Sequence, residues 1–130
     1  MSSANLDLVR SICAAWRRGD YTSVDWADPE IEFVIADGPE PGRSRGLAGL
    51  APLRDFQSAW EEYHSEALEY RALDEERVLV LTYAIGRGRA SGLELGQMRA
   101  NVFHVRAGKV TKLIAYWDRD HAFADVGLSP

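Results

Sequence analysis

The sequence predicts a single α+β domain in which helices of the N-terminal half cover a long-stranded antiparallel sheet. Three observations predict it. Apolar residues recur at helical spacing near the N-terminus, four long strand-like segments separated by short turns fill the second half, and the 130 residues suit one domain with one core. We therefore treat residues 1–130 as one domain.

The first helix is predicted from apolar residues three and four positions apart. They are Leu6, Val9, Cys13 and Trp16. A basic last turn and a glycine at 17–19 end this helix. A short second helix is expected over 21–27, because a hydroxyl side chain can cap it and Asp28-Pro29 halts it.

A strand is expected over 30–36, followed by a loop rich in glycine and proline over 37–46. Long ordered loops often border functional sites. A third helix is expected from Pro52 to about Glu66, since proline suits a first helical turn and an apolar stripe follows. The stripe consists of Leu53, Phe56, Trp60, Tyr63 and Ala67.

Four strands joined by tight turns are predicted over 68–73, 77–87, 93–106 and 109–118, and consecutive hairpins imply an antiparallel sheet. Two of these strands are apolar on both sides, so both faces of the sheet must be covered. The helices cover one face. Since little chain remains for the other face, a second copy of the chain is expected to cover it, giving a homodimer.

Composition excludes several classes of function. The net charge of -5, without a cluster of basic residues, argues against nucleic-acid binding. The longest apolar run, 78–85, is far shorter than the ~20 residues of a membrane span. No secretory signal is recognised, so a cytoplasmic protein is expected. Cys13 cannot form an internal disulfide and is interpreted as a small buried hydrophobe.

Four segments carry a resemblance to a known family. They are 16–20 (WRRGD), 42–46 (GRSRG), 102–110 (VFHVRAGKV) and 116–118 (YWD). The sequence resembles the SnoaL-like group of the nuclear transport factor 2 superfamily, whose relatives include ketosteroid isomerase, limonene epoxide hydrolase and polyketide cyclases. The resemblance implies a cone-shaped sheet wrapped around three helices, a deep pocket between them, and a dimer formed by the convex face.

Two known reactions of the fold do not transfer to this chain. Where ketosteroid isomerase has a tyrosine and a protonated acid, the resemblance places Ile12 and Asn101, while Asp37 falls near its catalytic base. Limonene epoxide hydrolase resembles the chain in the last hairpin, but the positions of its Asp-Arg-Asp set are occupied by residues that cannot activate water. These are Thr82, Ala84 and Ala115.

Strand alternation selects the polar residues of the predicted pocket. Arg99, Asn101, Phe103 and Val105 share one face of their strand, and this face is expected to line the cone. Arg99 would bind an anionic oxygen and Asn101 a carbonyl or hydroxyl group of a small apolar ligand. The alternative for Arg99 is a structural ion pair with an acid such as Asp37 or Glu32.

Aromatic residues on several elements are expected to wall the pocket or to form plain core. They are Trp16, Phe33, Trp60, Tyr63 and Trp117, of which Trp60 and Trp117 are expected to reach the cavity. His64 is a candidate general base or an exposed helix-end residue. Asp37 is an alternative base or a turn residue, and His104 is assigned to the dimer interface.

Neither a metal nor a cofactor is predicted, because the Asp118, Asp120 and His121 cluster lacks a second group of ligands. The predicted function is a cofactor-independent isomerase, cyclase or hydratase acting on a small apolar metabolite. The alternative is a ligand-binding or dimeric interaction module that uses the same pocket without catalysis.

Overall fold

The structure, a computed structural model, describes residues 3–38, 41–51, 60–88, 92 and 94–128. These residues form two α-helices, a 3-10 helix and six strands. The elements in chain order are α1 (Ser3–Arg17), β1 (Ala27–Ile35), β2 (Gly42–Arg45), the 3-10 helix (Leu47–Leu50), β3 (Trp60–Ala72), β4 (Arg77–Gly88), β5 (Glu94–Arg106), β6 (Lys109–Tyr116) and α2 (Arg119–Val126). The α+β class predicted from the sequence is confirmed.

The six strands form one mixed sheet in the order β2-β1-β6-β5-β4-β3. Strands β3 to β6 make the antiparallel meander that the turns predicted. The sheet is not wholly antiparallel, because β1 lies parallel to β6, with Phe33 opposite Leu113. Short turns specify only the pairing of consecutive strands, so this pairing between the first and last strands had no local signal.

The second predicted helix, over 21–27, is wrong. Side chains and backbone bond locally there instead: Asp20 accepts from the amide and hydroxyl of Thr22, and Trp26 Nε1 donates to the carbonyl of Ser23. Such local hydrogen bonds give the backbone an alternative to a helical ladder. Strand β1 then begins at Ala27, three residues before the strand predicted over 30–36.

The third predicted helix is contradicted over 60–66, which belongs to β3; residues 52–59 lie outside the described residues. Tyr63 and Ala67 are four apart, which fits a helix, but they also lie an even number of positions apart, which fits one face of a strand. Thirteen residues of β3 run along β4, with Ser65 opposite Ala84. Tertiary pairing therefore overrides the local helical pattern. In the part of the chain described here, α1 is the one α-helix of the N-terminal half.

Helix α1 packs on the inner face of the sheet. Its buried residues Val9 and Trp16 join a core with Val80, Phe103 and Leu113 from the central strands, and these five side chains are at most 4% exposed. The inner-face assignment of Phe103 and Val105, made from strand alternation, is confirmed by their place in this core. The core therefore lies between α1 and β4 to β6.

Helix α2 covers part of the outer face. Asp118 caps it by accepting from the amide of Asp120, and Gly127 ends it with a left-handed φ of 73°. Phe123 of α2 packs with Leu79 and Val102 of the outer face. A C-terminal segment thus supplies cover that had been expected from a second copy. The homodimer remains a prediction that must be tested in solution. Neither described α-helix is long and apolar enough to cross a membrane.

Candidate functional site

The inner face of the sheet changes from apolar to polar along its strands. At the apolar end, Leu113, Phe103 and Val78 form adjacent positions on β6, β5 and β4, and all three are fully buried. Four residues further along β5, Arg99 lies opposite Thr82. Core side chains therefore close the inner face at one end, and its polar side chains lie at the Arg99 end.

The polar end of the inner face is built from side chains on three strands and one loop. They are Tyr21, Tyr63, Ser65, Thr82, Gln97, Arg99 and Asn101. Gln97, Arg99 and Asn101 are half-buried, so they keep some contact with solvent. Polar groups of this kind, converging beside an apolar surface, are what orient a small molecule in a binding site.

Among the described residues, Tyr63, Gln97 and Trp117 contact the side chain of Arg99. Its Nη1 donates to the hydroxyl of Tyr63 at 3.1 Å and its Nη2 donates to Oε1 of Gln97 at 3.2 Å. Its guanidinium carbon lies 4.0 Å from the centroid of the Trp117 ring, within the range of a cation–π interaction. Burial lowers the pKa of Arg99, but an arginine remains charged at any physiological pH. The site therefore carries a fixed positive charge of defined orientation.

The structural ion pair considered for Arg99 is not formed with either proposed acid. Glu32 binds Arg43 at 2.9 Å and lies 3.6 Å from Lys112. Asp37 binds His121 at 2.7 Å. The two acids are thus bound by other side chains, and the contacts described for Arg99 are with Tyr63, Gln97 and Trp117.

Two tyrosine hydroxyls lie near the guanidinium of Arg99, those of Tyr63 and Tyr21. Burial raises the pKa of Tyr63, so its phenol stays protonated at neutral pH. A phenol that accepts a hydrogen bond from a guanidinium is polarised and becomes a better donor. Tyr21 stands beside it, with ring centroids 5.6 Å apart, and its hydroxyl hydrogen-bonds Ser65 at 3.2 Å. Together these groups suit an oxygen that carries negative charge.

Sequence reasoning missed Tyr21 and Ser65. Tyr21 was placed in a second helix, although it follows the glycine stop of α1 and stacks on Trp16 with ring centroids 5.6 Å apart. Ser65 fell within the segment predicted as the third helix, so its strand neighbours were not considered. Read at strand spacing, Tyr63, Ser65 and Ala67 would have shared one face, which is the signal that could have found them.

The predicted aromatic wall divides into core and site. Trp16, Phe33 and Phe103 are at most 4% exposed and belong to the core. Tyr63 and Trp117 contact Arg99. The side chain of Trp60 lies outside the described residues. Asn101 lies on the inner face between Val80 of β4 and Ala115 of β6. It is two residues from Arg99 along β5, towards the buried apolar end.

The structure places neither candidate base beside Arg99. His64 lies on β3, not on a helix, and it is opposite Ile85, whereas its neighbour Ser65 is opposite the core residue Ala84. Successive side chains of a strand point to opposite faces, so His64 belongs to the outer face. Asp37 accepts from the backbone amides of Trp117 and Asp118 and from the ring of His121. Its carboxylate is turned towards the junction of β6 and α2.

His121 continues this junction on α2. Its Nε2 lies 3.4 Å from Asp125, which accepts a hydrogen bond from the hydroxyl of Tyr116 at 2.9 Å. The hydrogen bond with Asp37 is the main cause that raises the pKa of His121. Within the described ranges, no group of three or more His, Cys, Asp or Glu side chains is arranged to hold a metal ion.

A separate groove of about 340 Å³ lies on the other side of α1. Leu8, Ile12 and Ala15 form one wall, and Trp26 and Lys109 stand across from them. Two of its polar side chains already bond to backbone carbonyls in the groove: Lys109 donates to Asp25 and Trp26 donates to Ser23. The side chains suited to binding an oxygen anion lie at the Arg99 end of the sheet instead.

Solved structures similar to this chain share its fold. One is an NTF2-like protein of unknown function from Burkholderia pseudomallei, with a TM-score of 0.77 and 18% identity over 95% of this chain and 97% of that chain. Another is a proposed polyketide cyclase from Xanthomonas campestris, with a TM-score of 0.72 and 21% identity over 95% and 96%. A third is TerC co-crystallised with polyporic acid, with a TM-score of 0.75 and 20% identity over 95% and 98%.

No family sequence model matches the chain, and no curated protein matches it. At the identities of the solved structures, the likeness is one of fold. The chain therefore has the nuclear transport factor 2-like fold that its sequence resemblance implied. Because one fold hosts many activities, the function has to be argued from the residues of the site.

Proposed function

We propose that the chain binds a small, largely apolar metabolite on the inner face of its sheet and polarises an oxygen of that molecule, as a cofactor-independent isomerase, cyclase or hydratase does. The observation that carries this proposal is the bond from Arg99 to the hydroxyl of Tyr63, made beside a fully buried apolar row. The partly exposed side chains of Ala115 and Trp117 suit the body of the ligand, and the pair of Arg99 and Tyr63 suits its oxygen.

The pair of Arg99 and Tyr63 supports stabilisation of developing negative charge. An enolate or enol intermediate carries that charge on oxygen, and donors oriented in advance stabilise it without reorganising during the reaction. The cation–π contact with Trp117 and the hydrogen bond to Gln97 orient the guanidinium before a ligand arrives. The neighbouring hydroxyl of Tyr21 and the amide of Asn101 would contact a second oxygen of the ligand.

One observation favours a second candidate function, ligand binding without catalysis. Proton transfer needs a base within hydrogen-bond reach of the substrate. Among the side chains that the structure describes on the inner face, none is a carboxylate or an imidazole, since His64 is on the outer face and Asp37 is bound at the β6–α2 junction. The same pocket would then hold a ligand and leave it unchanged.

Binding is tested with three probes that share a naphthalene ring and differ in the oxygen group that it carries. They are 2-naphthoate with a carboxylate, 2-acetylnaphthalene with a ketone, and naphthalene with no oxygen. Calorimetric titration of the wild type should give binding affinities that decrease in that order. Arg99→Met should lower the affinity for 2-naphthoate by about tenfold or more, the usual effect of losing a hydrogen bond to a charged group. Tyr63→Phe should lower the affinity for 2-acetylnaphthalene as well.

Arg106→Met is the matched control, because Arg106 pairs with Glu76 at 2.9 Å on the exposed surface. It should bind the probes as the wild type does. If Arg99→Met binds 2-naphthoate unchanged, or if naphthalene binds as tightly as 2-naphthoate, the inner-face oxygen site is disproved.

Catalysis is tested separately by proton NMR of 2-tetralone in deuterated buffer. An enzyme of the proposed type should accelerate exchange of the protons next to the carbonyl, and Tyr63→Phe should abolish most of the acceleration. Binding of 2-tetralone without accelerated exchange would favour the second candidate function over the first.

The homodimer is also kept as a proposal. Met98 on the outer face of β5 is 47% exposed, which suits a contact with a second copy beyond the edge of α2. Sedimentation equilibrium of the wild type and of Met98→Glu tests it. A dimer that Met98→Glu converts to monomer would support the convex-face interface, whereas a wild-type monomer would disprove it.

A further inference from the structure

Trp117 is held from two sides. The guanidinium of Arg99 lies over its ring at 4.0 Å. Gly38 lies so close to the ring that a Cβ atom there would be 2.8 Å from two ring carbons. The position of this indole therefore depends on what fixes the backbone of residue 117 and the loop that carries Gly38.

Asp37 fixes both of them. It immediately precedes Gly38, and its Oδ1 accepts hydrogen bonds from the backbone amides of Trp117 and Asp118. Its Oδ2 lies 2.7 Å from Nδ1 of His121 on α2. One carboxylate thus joins the end of β1, the end of β6 and the C-terminal helix.

We propose that Asp37 and His121 form a latch that positions Trp117 against Arg99, and that protonation of His121 tightens this latch and so strengthens ligand binding on the inner face. The inference rests on the proposed function for its ligand. It assigns to Asp37 the role of a positioning residue instead of a base. It also makes α2, on the outer face, part of the control of the inner face.

The latch responds to protonation because His121 stands between two carboxylates. A protonated ring donates from Nδ1 to Asp37 and from Nε2 towards Asp125 at 3.4 Å. A neutral ring has one N–H, so one nitrogen then turns a lone pair towards a carboxylate. The hydrogen bond between Asp37 and His121 is therefore strongest when the imidazole is charged.

The titratable groups that face His121 come from three elements. Asp37 approaches from the loop after β1, and Tyr116 packs edge-on from β6 with a centroid distance of 5.2 Å. Asp125 and Asp118 approach from α2 and its cap, and both raise the pKa of His121. Three of the four are acids, so the protonated imidazole is the form that these neighbours favour.

Ligand affinity should fall as the pH rises, because the pKa of His121 is raised above the ordinary value of about 6.5. The stabilisation by the charged form is therefore complete below about pH 6.5 and is lost as the pH rises through the raised pKa. Arg99 stays charged over this range, so a fall in affinity at higher pH would come from the latch and not from the guanidinium.

The first experiment measures the affinity of 2-naphthoate by calorimetry across this pH range, where the probe itself stays ionised. For the wild type we expect affinity to fall by about fivefold as His121 loses its proton, at the low end of typical coupling between sites. His121→Gln should remove this pH dependence. His104→Gln is the matched control, because it removes a histidine on the outer face of β5, and it should keep the wild-type dependence.

The second experiment needs no ligand. Hydrogen exchange of the amides of Trp117 and Asp118, expressed as protection factors, should show less protection at high pH in the wild type and a flat profile in His121→Gln. Asp37→Asn should lower the protection of both amides at every pH, and Asp37→Glu tests whether a carboxylate restores it.

The outcomes separate the latch from the proposed function. If 2-naphthoate does not bind the wild type at all, the proposed function fails, and the exchange profiles alone decide the latch. If wild type and His121→Gln show the same pH dependence of affinity and of protection, the latch is overturned, whether or not the ligand binds.

Discussion

Arg99 in the middle of β5 and Trp117, which directly follows β6, contact each other, with the guanidinium carbon 4.0 Å from the ring centroid. The same guanidinium donates to Tyr63 and to Gln97 from its two terminal nitrogens. A lysine has no planar set of donors, so it could not take this place. The geometry of the site therefore depends on where the indole of Trp117 lies.

Gly38→Ala should displace the indole. Gly38 has φ of +93°, and a Cβ atom there would lie 2.8 Å from the Trp117 ring. Gly108→Ala is the control, since Gly108 has φ of +77° and open space around a Cβ atom. Both changes add backbone strain of about 1–2 kcal/mol, and Gly38→Ala adds overpacking that typically costs about 1–3 kcal/mol.

Urea unfolding and near-ultraviolet circular dichroism measure the two effects. Gly38→Ala should lower the free energy of unfolding more than Gly108→Ala does, and it alone should alter the tryptophan signal. Equal losses of stability with unchanged spectra would show that Trp117 is not packed against Gly38.

Cys13 should react slowly with thiol reagents in the native state. It is 5% exposed on the inner side of α1, and burial raises the pKa of its thiol to about 11. The reactive thiolate is therefore scarce and shielded at neutral pH. Labelling with an aromatic disulfide reagent, followed by absorbance, should be far faster in denaturant. Fast stoichiometric labelling of the folded protein would contradict the buried position.

Local sequence patterns were sufficient for part of the fold. The spacing of Val9, Cys13 and Trp16 predicted α1, and the turns after 73, 87 and 106 predicted the meander of β3 to β6. Strand alternation also placed Arg99 and Phe103 on the inner face correctly. These features depend on neighbours within a few residues of one another, which is the range over which propensity and periodicity act.

The rest of the fold and site depends on partners far apart in the chain. The segment 60–67 carries a helical pattern and becomes a strand only because β4 is present to pair with it. Asp37 was a turn residue or a base on local grounds, whereas its partners Trp117 and His121 are about eighty positions away. The bond of Tyr21 to Ser65 spans 44 residues. No local pattern encodes such pairings, so sequence reasoning could not supply them.

Asp118→Ala should destabilise α2. The Asp118 side chain accepts from the amide of Asp120 at 2.9 Å and satisfies one of the free donors at the start of the helix. Replacing such a cap with alanine typically costs about 1 kcal/mol, whereas asparagine retains an acceptor. Asp118→Asn is therefore the control. Urea unfolding should show the loss for alanine only, and an equal loss for asparagine would mean that charge, not capping, is responsible.

The two histidines at opposite ends of the outer face should give opposite pH dependences of stability. His104 is half-buried on β5, opposite Arg77 on β4 and Lys112 on β6. Burial lowers its pKa first, and the charges of Lys112 and Arg77 lower it further. The pKa of His121, by contrast, is raised by its bond to Asp37.

For His104, the unfolded chain binds a proton more readily than the folded chain between the lowered pKa and the ordinary value of about 6.5. Its neutral form therefore stabilises the fold above about pH 6.5, and this contribution is lost as the pH falls through the lowered pKa. His104→Gln should gain stability relative to the wild type between about pH 7 and about pH 5, while His121→Gln should lose it there. Urea unfolding at a series of pH values measures both differences. A pH-independent difference for His104→Gln would show that neither burial nor its two cationic neighbours act on His104 as the structure requires.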